Sequence, residues 1–376
     1  MAGVEVLGFA HAPFGAVKDA FAANFAEGRE LGARFSLVRE GETVVDLHAG
    51  FADRARTRAF GADTLATLFS TTKALAALMM ARLVDQGRLA YDQPVADVWP
   101  EFAQAGKAGV TVEQALSHQA GLCGFLEPME PSLWFDWQAI CDRLASMAPI
   151  WPPGTASGYH PLTYGYLAGE IFRRVDGRTL GRALHEDIAE PFGLDIWIGL
   201  PDAEHDRVAQ VQRPSALPDF GEINAATRAA FLSPWSQPGG RPEAEWRRIE
   251  VPSANGHATA LALARLFGAL ADDGWLDGEQ ILSPALIGEL ARERIGGQDL
   301  VLPFEMSWAA GVFRNAPLKA WGPAEQSFGH SGWGGSCVFA DPERRLGGAY
   351  VMNKQSTDLV GDARPKRLIE AAYAAL

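Results

Sequence analysis

The sequence has few of the features that mark a disulfide-stapled, metal-binding or nucleic-acid-binding protein. Its 376 residues include only three cysteines, Cys123, Cys141 and Cys337, which are odd in number, far apart and without nearby histidine clusters. Neither a disulfide framework nor a zinc site is indicated, and no metal or organic cofactor is expected. Lysine and arginine number 33 against 46 acidic residues, a formal net charge of −13. Nucleic acids and anionic membranes need concentrated basic residues, so neither is expected as a partner.

Long apolar runs are also missing, although 48% of the residues are hydrophobic. No stretch approaches the roughly 20 apolar residues of a membrane-spanning helix. Residues 1–14 lack the basic start and continuous apolar core of a secretory signal, and the first lysine is Lys18. We therefore expect a cytoplasmic protein with a large core that acts on a small neutral molecule. A homo-oligomer is left open.

Strand patterns and helix patterns occupy different parts of the chain. Residues 33–51 contain two β-branched, apolar stretches around Glu40-Gly41-Glu42, the pattern of a hairpin. Further strands are predicted at 306–313, 336–340 and 347–352, and helices at 71–86, 162–175, 180–188, from after 254 to 271, and 366–376. These patterns predict a single domain over 1–376 with a mixed α/β (α+β) fold. Residues 1–84 and 254–376 would form a sheet lobe, and 85–253 an inserted, mainly helical lobe.

The first candidate for chemistry is Phe69-Ser70-Thr71-Thr72-Lys73, the single Ser-x-x-Lys in the chain, where an irregular segment enters the clearest helix. Residues three apart share one face of a helix, so the Lys73 amine can lie beside the Ser70 hydroxyl. The helix N-terminus and burial both disfavour a protonated amine, which would make Lys73 a base at neutral pH. The alternative is a Ser70 N-cap followed by a solvated lysine.

The second candidate is Tyr159, in the stretch Pro152-Pro153-Gly154-Thr155-Ala156-Ser157-Gly158-Tyr159-His160-Pro161 that precedes a predicted helix. A tyrosine on a proline- and glycine-rich loop can be aimed rigidly into a cleft. The alternative is an aromatic plug beneath that loop.

The third candidate is the glycine-rich stretch Phe328-Gly329-His330-Ser331-Gly332-Trp333-Gly334-Gly335, which leads into a predicted strand. Glycines permit a substrate to approach the backbone closely, and a backbone N–H there could complete an oxyanion hole. The alternative is a glycine-rich turn with no ligand.

In this order the three motifs resemble those of the serine β-lactamase and penicillin-binding-protein superfamily, most closely the family VIII carboxylesterases, which are related to class C β-lactamases. Leu116-Ser117-His118-Gln119-Ala120-Gly121-Leu122 is similar to another stretch of that superfamily. The resemblance covers nearly the whole chain. It implies a β-lactamase/transpeptidase-like fold, with an antiparallel sheet built from both termini, flanking helices and an inserted helical lobe.

The resemblance also implies roles for individual residues. Ser70 would be the acylated nucleophile, with Lys73 and Tyr159 sharing its proton. The N–H groups of Ser70 and Trp333 would form the oxyanion hole, with His330 and Gly332 beside the substrate. The alternative is that Trp333-Gly334-Gly335, and not His330-Ser331-Gly332, aligns to the family's strand motif. The family's Tyr-x-Asn is here Tyr159-His160-Pro161, and the Lys-Thr-Gly of true β-lactamases is here His330-Ser331-Gly332. Both departures favour esters over penicillins.

The sequence therefore predicts a serine carboxylesterase that hydrolyses short-chain esters through an acyl-enzyme. An amidase or D-peptidase, a weak β-lactamase, an acyltransferase and a catalytically silent scaffold are the alternatives. Ser331 is a weaker candidate nucleophile, because Gly329-His330-Ser331-Gly332 resembles a nucleophile elbow but is followed by a strand. The aromatic stretches 125–137 and 231–235, including Phe125, Trp134 and Trp235, are candidate walls of the substrate pocket. His118 and His257 are predicted to be hydrogen-bonded structural groups.

Overall fold

Both ends of the chain contribute strands to one large sheet in the computed structural model, which describes residues 4–376. The strands are β1 (Val6–Ala10), β2 (Gly32–Arg39), β3 (Glu42–Gly50), β4 (Ala66–Thr67), β5 (Ile196–Ile198), β6 (Gly256–Ala258), β7 (Trp275–Leu276), β8 (Glu279–Gln280), β9 (Ile295–Gln298), β10 (Glu305–Trp308), β11 (Phe313–Arg314), β12 (Phe328–Ser331), β13 (Cys337–Asp341) and β14 (Leu346–Met352). The large sheet is antiparallel with the order β1-β3-β2-β14-β13-β12-β11-β10-β9. A small sheet has the order β4-β6-β5.

Helices cover both faces of the large sheet and fill the middle of the chain. They are α1 (Gly15–Ala26), α2 (Thr72–Asp85), α3 (Val112–Leu116), α4 (Trp137–Ser146), α5 (Thr163–Asp176), α6 (Leu180–Leu184), α7 (Ala225–Thr227), α8 (Glu243–Arg248), α9 (Ala260–Ala271), α10 (Pro284–Ala291) and α11 (Ala363–Tyr373). Between residues 4 and 376, no helix combines the length and the apolar character needed to cross a membrane.

Strand β2 is buried on both faces, and its two buried polar side chains, Arg34 and Ser36, both donate to the Asp46 carboxylate. Side chains alternate between the two faces of a strand, and Val38 packs into the core shared with α2 and α9. Phe35 and Leu37 belong to a second core shared with residues of α1 and α11, such as Phe21 and Leu368. The sheet therefore separates two cores, and the α2 side carries the first predicted motif.

The predicted hairpin at 33–51 and the predicted mixed fold are confirmed by β2, β3 and the sheet order. The predicted strand 306–313 is wrong in detail, because the chain reverses after Trp308. Gly311 has a left-handed φ of 89°, and Ala309 N–H donates to Val312 O at 2.9 Å, so β10 and β11 form a tight hairpin.

Two helices begin at other residues than the sequence predicts. The helix predicted to start after Ala254 begins only at α9, because Thr259 caps its first turn and β6 precedes it. The final helix begins at α11, three residues before the predicted start, where the Asp362 carboxylate accepts the Arg364 N–H. Strands β1 and β12 and helix α1 were not predicted.

Candidate active site

Ser70 lies on a strained turn at the entrance to α2. It is the middle residue of a short 3₁₀ turn, Phe69–Thr71, and Phe69 has a φ of 50°, a left-handed conformation that is uncommon for a bulky residue. Thr72 Oγ1 donates to Phe69 O at 2.6 Å and accepts the Gly256 N–H at 2.9 Å. These bonds fix the turn, so that Ser70 is half-buried at the wall of a cavity.

Gly332 brings the end of β12 directly against this turn. A Cβ atom at this position would lie 2.2 Å from Leu68 O and 2.2 Å from Ser336 Oγ. Ser336 Oγ in turn donates to Leu68 O at 2.7 Å. Only a glycine permits this approach, which places residues 332–335 beside Ser70. The structure therefore assigns Gly332 a packing role next to the site.

Lys73 is fully buried and contacts Ser70 through its amine. Its Nζ lies 3.3 Å from Ser70 Oγ, 2.7 Å from Pro161 O and 3.0 Å from Ser253 O. A neutral amine has two N–H donors and one lone pair, whereas an ammonium has three donors and no acceptor. Because the two carbonyls use two donors, the remaining position of a neutral Lys73 is a lone pair that faces the Ser70 hydroxyl.

The surroundings of Lys73 favour that neutral form. Burial lowers the pKa of its amine well below the usual value, and no carboxylate within residues 4–376 lies at ion-pair distance. Tyr159 makes no hydrogen bond to Lys73 in the described part of the chain, because Nζ lies over the ring, 4.7 Å from its centroid. Ring faces attract cations, but weakly compared with the desolvation of a buried charge.

Tyr159 and Ser70 border a second, smaller cavity. The Tyr159 ring stacks on Trp308, with centroids 5.6 Å apart and planes within 10°, and both residues line this cavity together with Ser70. Burial raises the pKa of the phenol above its usual value. Tyr159 is thus a proton donor at neutral pH and not a phenolate.

A buried carboxylate that the sequence did not reveal fixes the position of Tyr159. Asp299 Oδ1 accepts the N–H of Tyr159 at 3.0 Å and those of Val301 and Leu302 at 2.9 Å. Its Oδ2 accepts the indole N–H of Trp308 at 3.0 Å. Asp299 thereby joins the Tyr159 loop to the strand that carries the stacking partner. In the sequence it is one acidic residue among many.

Two neutral histidines support the Tyr159 loop from behind. His160 Nδ1 lies 2.6 Å from Gly158 O, and its Nε2 accepts the Leu122 N–H at 3.0 Å. His118 Nδ1 accepts the His160 N–H at 3.1 Å. Burial lowers the pKa of His160 to about 3 and that of His118 well below its usual value. His118 thus has the hydrogen-bonded structural role expected from the sequence, and His257 bonds Thr67 at 3.3 Å.

His330 presents an unpaired ring nitrogen to the site. Its Nδ1 lies 2.8 Å from Ser331 O, which fixes the proton on Nδ1 and leaves Nε2 as an acceptor. Nε2 is buried and has no hydrogen-bond partner in the described part of the chain. Burial lowers the pKa of His330 to about 3. The position therefore offers a neutral acceptor where β-lactamases are expected to carry a cation.

Trp333 occupies the turn that faces Ser70. The N–H groups of Gly332, Gly334 and Gly335 all donate to main-chain oxygens, but those of Trp333 and Ser70 donate to no acceptor between residues 4 and 376. An oxyanion hole requires two free N–H groups beside a nucleophile, and these two groups lie beside the candidate nucleophile Ser70. The turn is held from below, since Arg364 donates to Gly334 O at 2.5 Å.

Two spaces share Ser70 as a wall. The smaller has a volume of about 40 Å³ and is lined by Tyr159, His330, Trp308 and Phe231. Because one water needs roughly 10–15 Å³ of such volume, this space fits about two or three waters or a short group. The larger has a volume of about 390 Å³, with walls that include Phe135, Phe220, Phe231, Trp246 and Trp333.

The three aromatic residues predicted to line the pocket lie elsewhere. Phe125 and Trp134 are buried against each other, with ring centroids 5.5 Å apart. The Trp134 indole donates to Trp235 O and the Trp235 indole to Phe125 O, each at 2.8 Å. They form an aromatic cluster outside both spaces at Ser70. Each of the two predicted segments contributes a different aromatic residue to the larger space, Phe135 from the first and Phe231 from the second.

Together, the fold and this site define a serine hydrolase with the architecture of β-lactamases and transpeptidases. The Beta-lactamase family model matches residues 17–373, so the chain belongs to that family. A crystal structure of a penicillin-binding protein homologue from Caulobacter crescentus is 66% identical, with a TM-score of 0.97 and coverage of 99% of this chain and 100% of that one.

Two further relatives are esterases by name. The crystal structure of a family VIII carboxylesterase is 44% identical, with a TM-score of 0.93, and covers 99% of this chain and 100% of its own. The esterase/beta-lactamase LipL of Mycobacterium tuberculosis (strain ATCC 25618 / H37Rv) is 35% identical over 374 residues, 96% of this chain and 85% of LipL.

Proposed function

We propose that the protein is a carboxylesterase that hydrolyses short-chain carboxylic esters through an acyl-enzyme on Ser70. The observation that carries this proposal is the hydrogen-bond geometry of Lys73, whose donors are used by Pro161 O and Ser253 O while the remaining position faces Ser70 Oγ. The esterase names of similar proteins support the choice of an ester as substrate.

Acylation begins when Ser70 Oγ attacks the ester carbonyl carbon and its proton moves to the lone pair of Lys73. The N–H groups of Ser70 and Trp333 stabilise the negative charge on the carbonyl oxygen. When the tetrahedral intermediate collapses, the bond to the alcohol oxygen breaks. Tyr159 donates a proton to that oxygen, and the Lys73 ammonium returns one to Tyr159 through an intervening water, because the two groups make no direct hydrogen bond.

Deacylation uses the same groups in reverse order. A water molecule in the small space gives a proton to Tyr159 and attacks the acyl carbon, while Tyr159 passes its own proton to Lys73 through a second water. The bond to Ser70 Oγ breaks, Oγ takes the proton back, and the acid leaves. The unpaired Nε2 of His330 faces this space and would accept a hydrogen bond from the water.

The same geometry supports preference for esters over β-lactams. A β-lactam presents a carboxylate, and the neutral His330 offers it an acceptor and no charge. Pro161 stands where the family has an asparagine, and its carbonyl is occupied by Lys73. The complete arrangement of Ser70, Lys73 and Tyr159 also argues against a silent scaffold.

The test is a panel of p-nitrophenyl esters, a p-nitroanilide and nitrocefin, each with wild type and Ser70→Ala. The proposal predicts Ser70-dependent hydrolysis with the highest kcat/KM for a short acyl ester. Equal or higher kcat/KM for the anilide or nitrocefin would point instead to an amidase or a β-lactamase. When methanol is added, the yield of methyl ester should stay below the yield of free acid. A higher yield of methyl ester would indicate an acyltransferase.

A further inference from the structure

A second groove adjoins the larger space at Ser70. Its volume is about 740 Å³, and Phe69, Arg213, Glu243 and Trp246 are walls of both. A ligand with its ester at Ser70 could therefore extend past Trp246 into this groove. Phe69 and Trp246, the two aromatic walls that both spaces share, suit a hydrocarbon segment between the two ends of such a ligand.

The groove contains arginines that lack acidic partners. Arg54 donates to Val211 O at 2.5 Å, and Arg58 donates to the main-chain oxygens of Asp206 and Val208 at 2.6 Å. Along residues 4–376, no carboxylate lies within ion-pair distance of Arg54, Arg58 or Arg213. Arg guanidinium groups remain charged at all physiological pH values, so the walls of the groove carry four positive charges, from Arg54, Arg58, Arg213 and Arg247, against the two negative charges of Asp206 and Glu243.

A groove with several arginines that lack acidic partners is unusual in a chain with a net negative charge. Elsewhere arginines are commonly paired with carboxylates, as Arg178 is with Asp176, Glu186 and Asp187. The acidic walls of the groove are Asp206 and Glu243, and Glu243 is already bound to Arg247 at 2.6 Å. An oxyanion entering the groove would therefore meet unpaired guanidinium groups.

We infer that this groove binds an anionic group of the substrate, a carboxylate or a phosphate, at a distance from the scissile ester. The inference rests on the proposed function and replaces the neutral substrate expected from net charge. Guanidinium groups bind oxyanions by paired N–H donors. The anion is recognised at the arginines and not at the neutral His330, so the substrate class is an ester whose charged end is separated from the ester by an apolar segment.

The test compares esters that differ only in the distal charge. One series consists of p-nitrophenyl monoesters of straight-chain dicarboxylic acids of increasing length, each paired with its methyl-capped analogue. A second series places the anion on the alcohol, as butyrate esters of an ω-hydroxy acid and of the matching ω-hydroxyalkyl phosphate. In at least one series, kcat/KM for the anionic ester should exceed that of its capped analogue by roughly tenfold.

Arg213 is the informative position because it borders both spaces. Arg213→Gln should reduce the ratio of anionic to capped kcat/KM by roughly tenfold, and Arg213→Lys should restore part of it. Added salt should lower that ratio in wild type more than in Arg213→Gln, since screening weakens the attraction. Arg56→Gln is the matched control, because Arg56 lies on the same loop as Arg54 and Arg58 but does not line the groove.

The outcomes separate this inference from the proposed function. One outcome is that capped esters are cleaved in a Ser70-dependent manner, that the ratio of anionic to capped kcat/KM is one or less in every pair, and that Arg213→Gln leaves this ratio unchanged. The anion site would then be wrong, and the proposed esterase function would stand. An equal fall in the ratio of anionic to capped kcat/KM in Arg56→Gln and Arg213→Gln would also overturn the anion site. If no ester is cleaved through Ser70, the proposed function is wrong, and the inference with it.

Discussion

The Nζ atom of Lys73 lies 3.3 Å from Ser70 Oγ, and carbonyl oxygens of two other segments occupy its remaining hydrogen-bonding positions. The amine is therefore oriented by groups far away in sequence, at Pro161 and Ser253. An amine held in this way can accept one proton, and the nearest proton is that of Ser70.

Replacement of Lys73 by methionine should abolish acylation with little change in the fold. We expect kcat/KM for a short ester to fall by roughly 10²–10⁴, the usual contribution of a general base. Stopped-flow measurement of the p-nitrophenol burst reports the acylation step directly. Lys73→Arg keeps a cation but cannot lose its proton, so it should fail as well; activity in Lys73→Arg would show that charge and not basicity is required.

The pH dependence should carry the signature of a buried amine. Because burial lowers the pKa of Lys73, kcat/KM should rise with pH along a limb whose midpoint lies well below that of a free lysine. Between the folded and unfolded pKa values the unfolded chain binds more protons, so the free energy of unfolding should rise with pH in that window. Urea unfolding of wild type and Lys73→Met over the same pH range measures how the free energy of unfolding depends on pH in each. If the two pH dependences are the same, the pKa of Lys73 is not lowered.

Tyr159→Phe should slow deacylation more than acylation. The raised pKa keeps the phenol protonated, and its loss removes the group that passes the proton from water. The acyl-enzyme should then accumulate with a slowly hydrolysed ester, and intact-mass spectrometry detects it. Tyr164→Phe is the matched control, since the Tyr164 hydroxyl is buried and has no hydrogen-bond partner among the described residues. If the acyl-enzyme accumulates in neither variant, Tyr159 has no role in deacylation.

His330→Lys should shift selectivity toward carboxylate-bearing substrates. A cation at this position can pair with the carboxylate of nitrocefin, which the neutral imidazole cannot. We expect the ratio of kcat/KM for nitrocefin to that for p-nitrophenyl butyrate to rise by roughly tenfold, the effect of one charge-assisted hydrogen bond. His330→Gln retains a neutral acceptor and should leave the ratio low. A rise of equal size in both variants would mean that space and not charge limits β-lactam hydrolysis.

The parts of the site that follow from local sequence could be predicted. Ser70 and Lys73 are three residues apart at the start of a helix, and their proximity follows from helix geometry alone. The hairpin around Gly41 is equally local. The approach of Gly332 to Leu68, in contrast, joins segments more than 250 residues apart, and only a resemblance to a known family could suggest it.

The other features depend on contacts that no sequence pattern marks. Asp299 acts through the main chain of Tyr159, and any acidic loop residue would look the same in the sequence. Trp134 and Trp235 looked like pocket walls because they are aromatic and lie in long segments. Their indole N–H groups are instead satisfied by main-chain oxygens inside an aromatic cluster.

The central claim is that Ser70 is the nucleophile. Ser331 is the competing serine; it lies in β12, opposite Cys337, and also borders the small space. A fluorophosphonate probe followed by peptide mapping distinguishes the two, with Ser70→Ala and Ser331→Ala measured in parallel. The account predicts an adduct on the peptide containing Ser70, no labelling of Ser70→Ala, and labelling and esterase activity retained in Ser331→Ala. An adduct on Ser331, or undiminished labelling of Ser70→Ala, would contradict it.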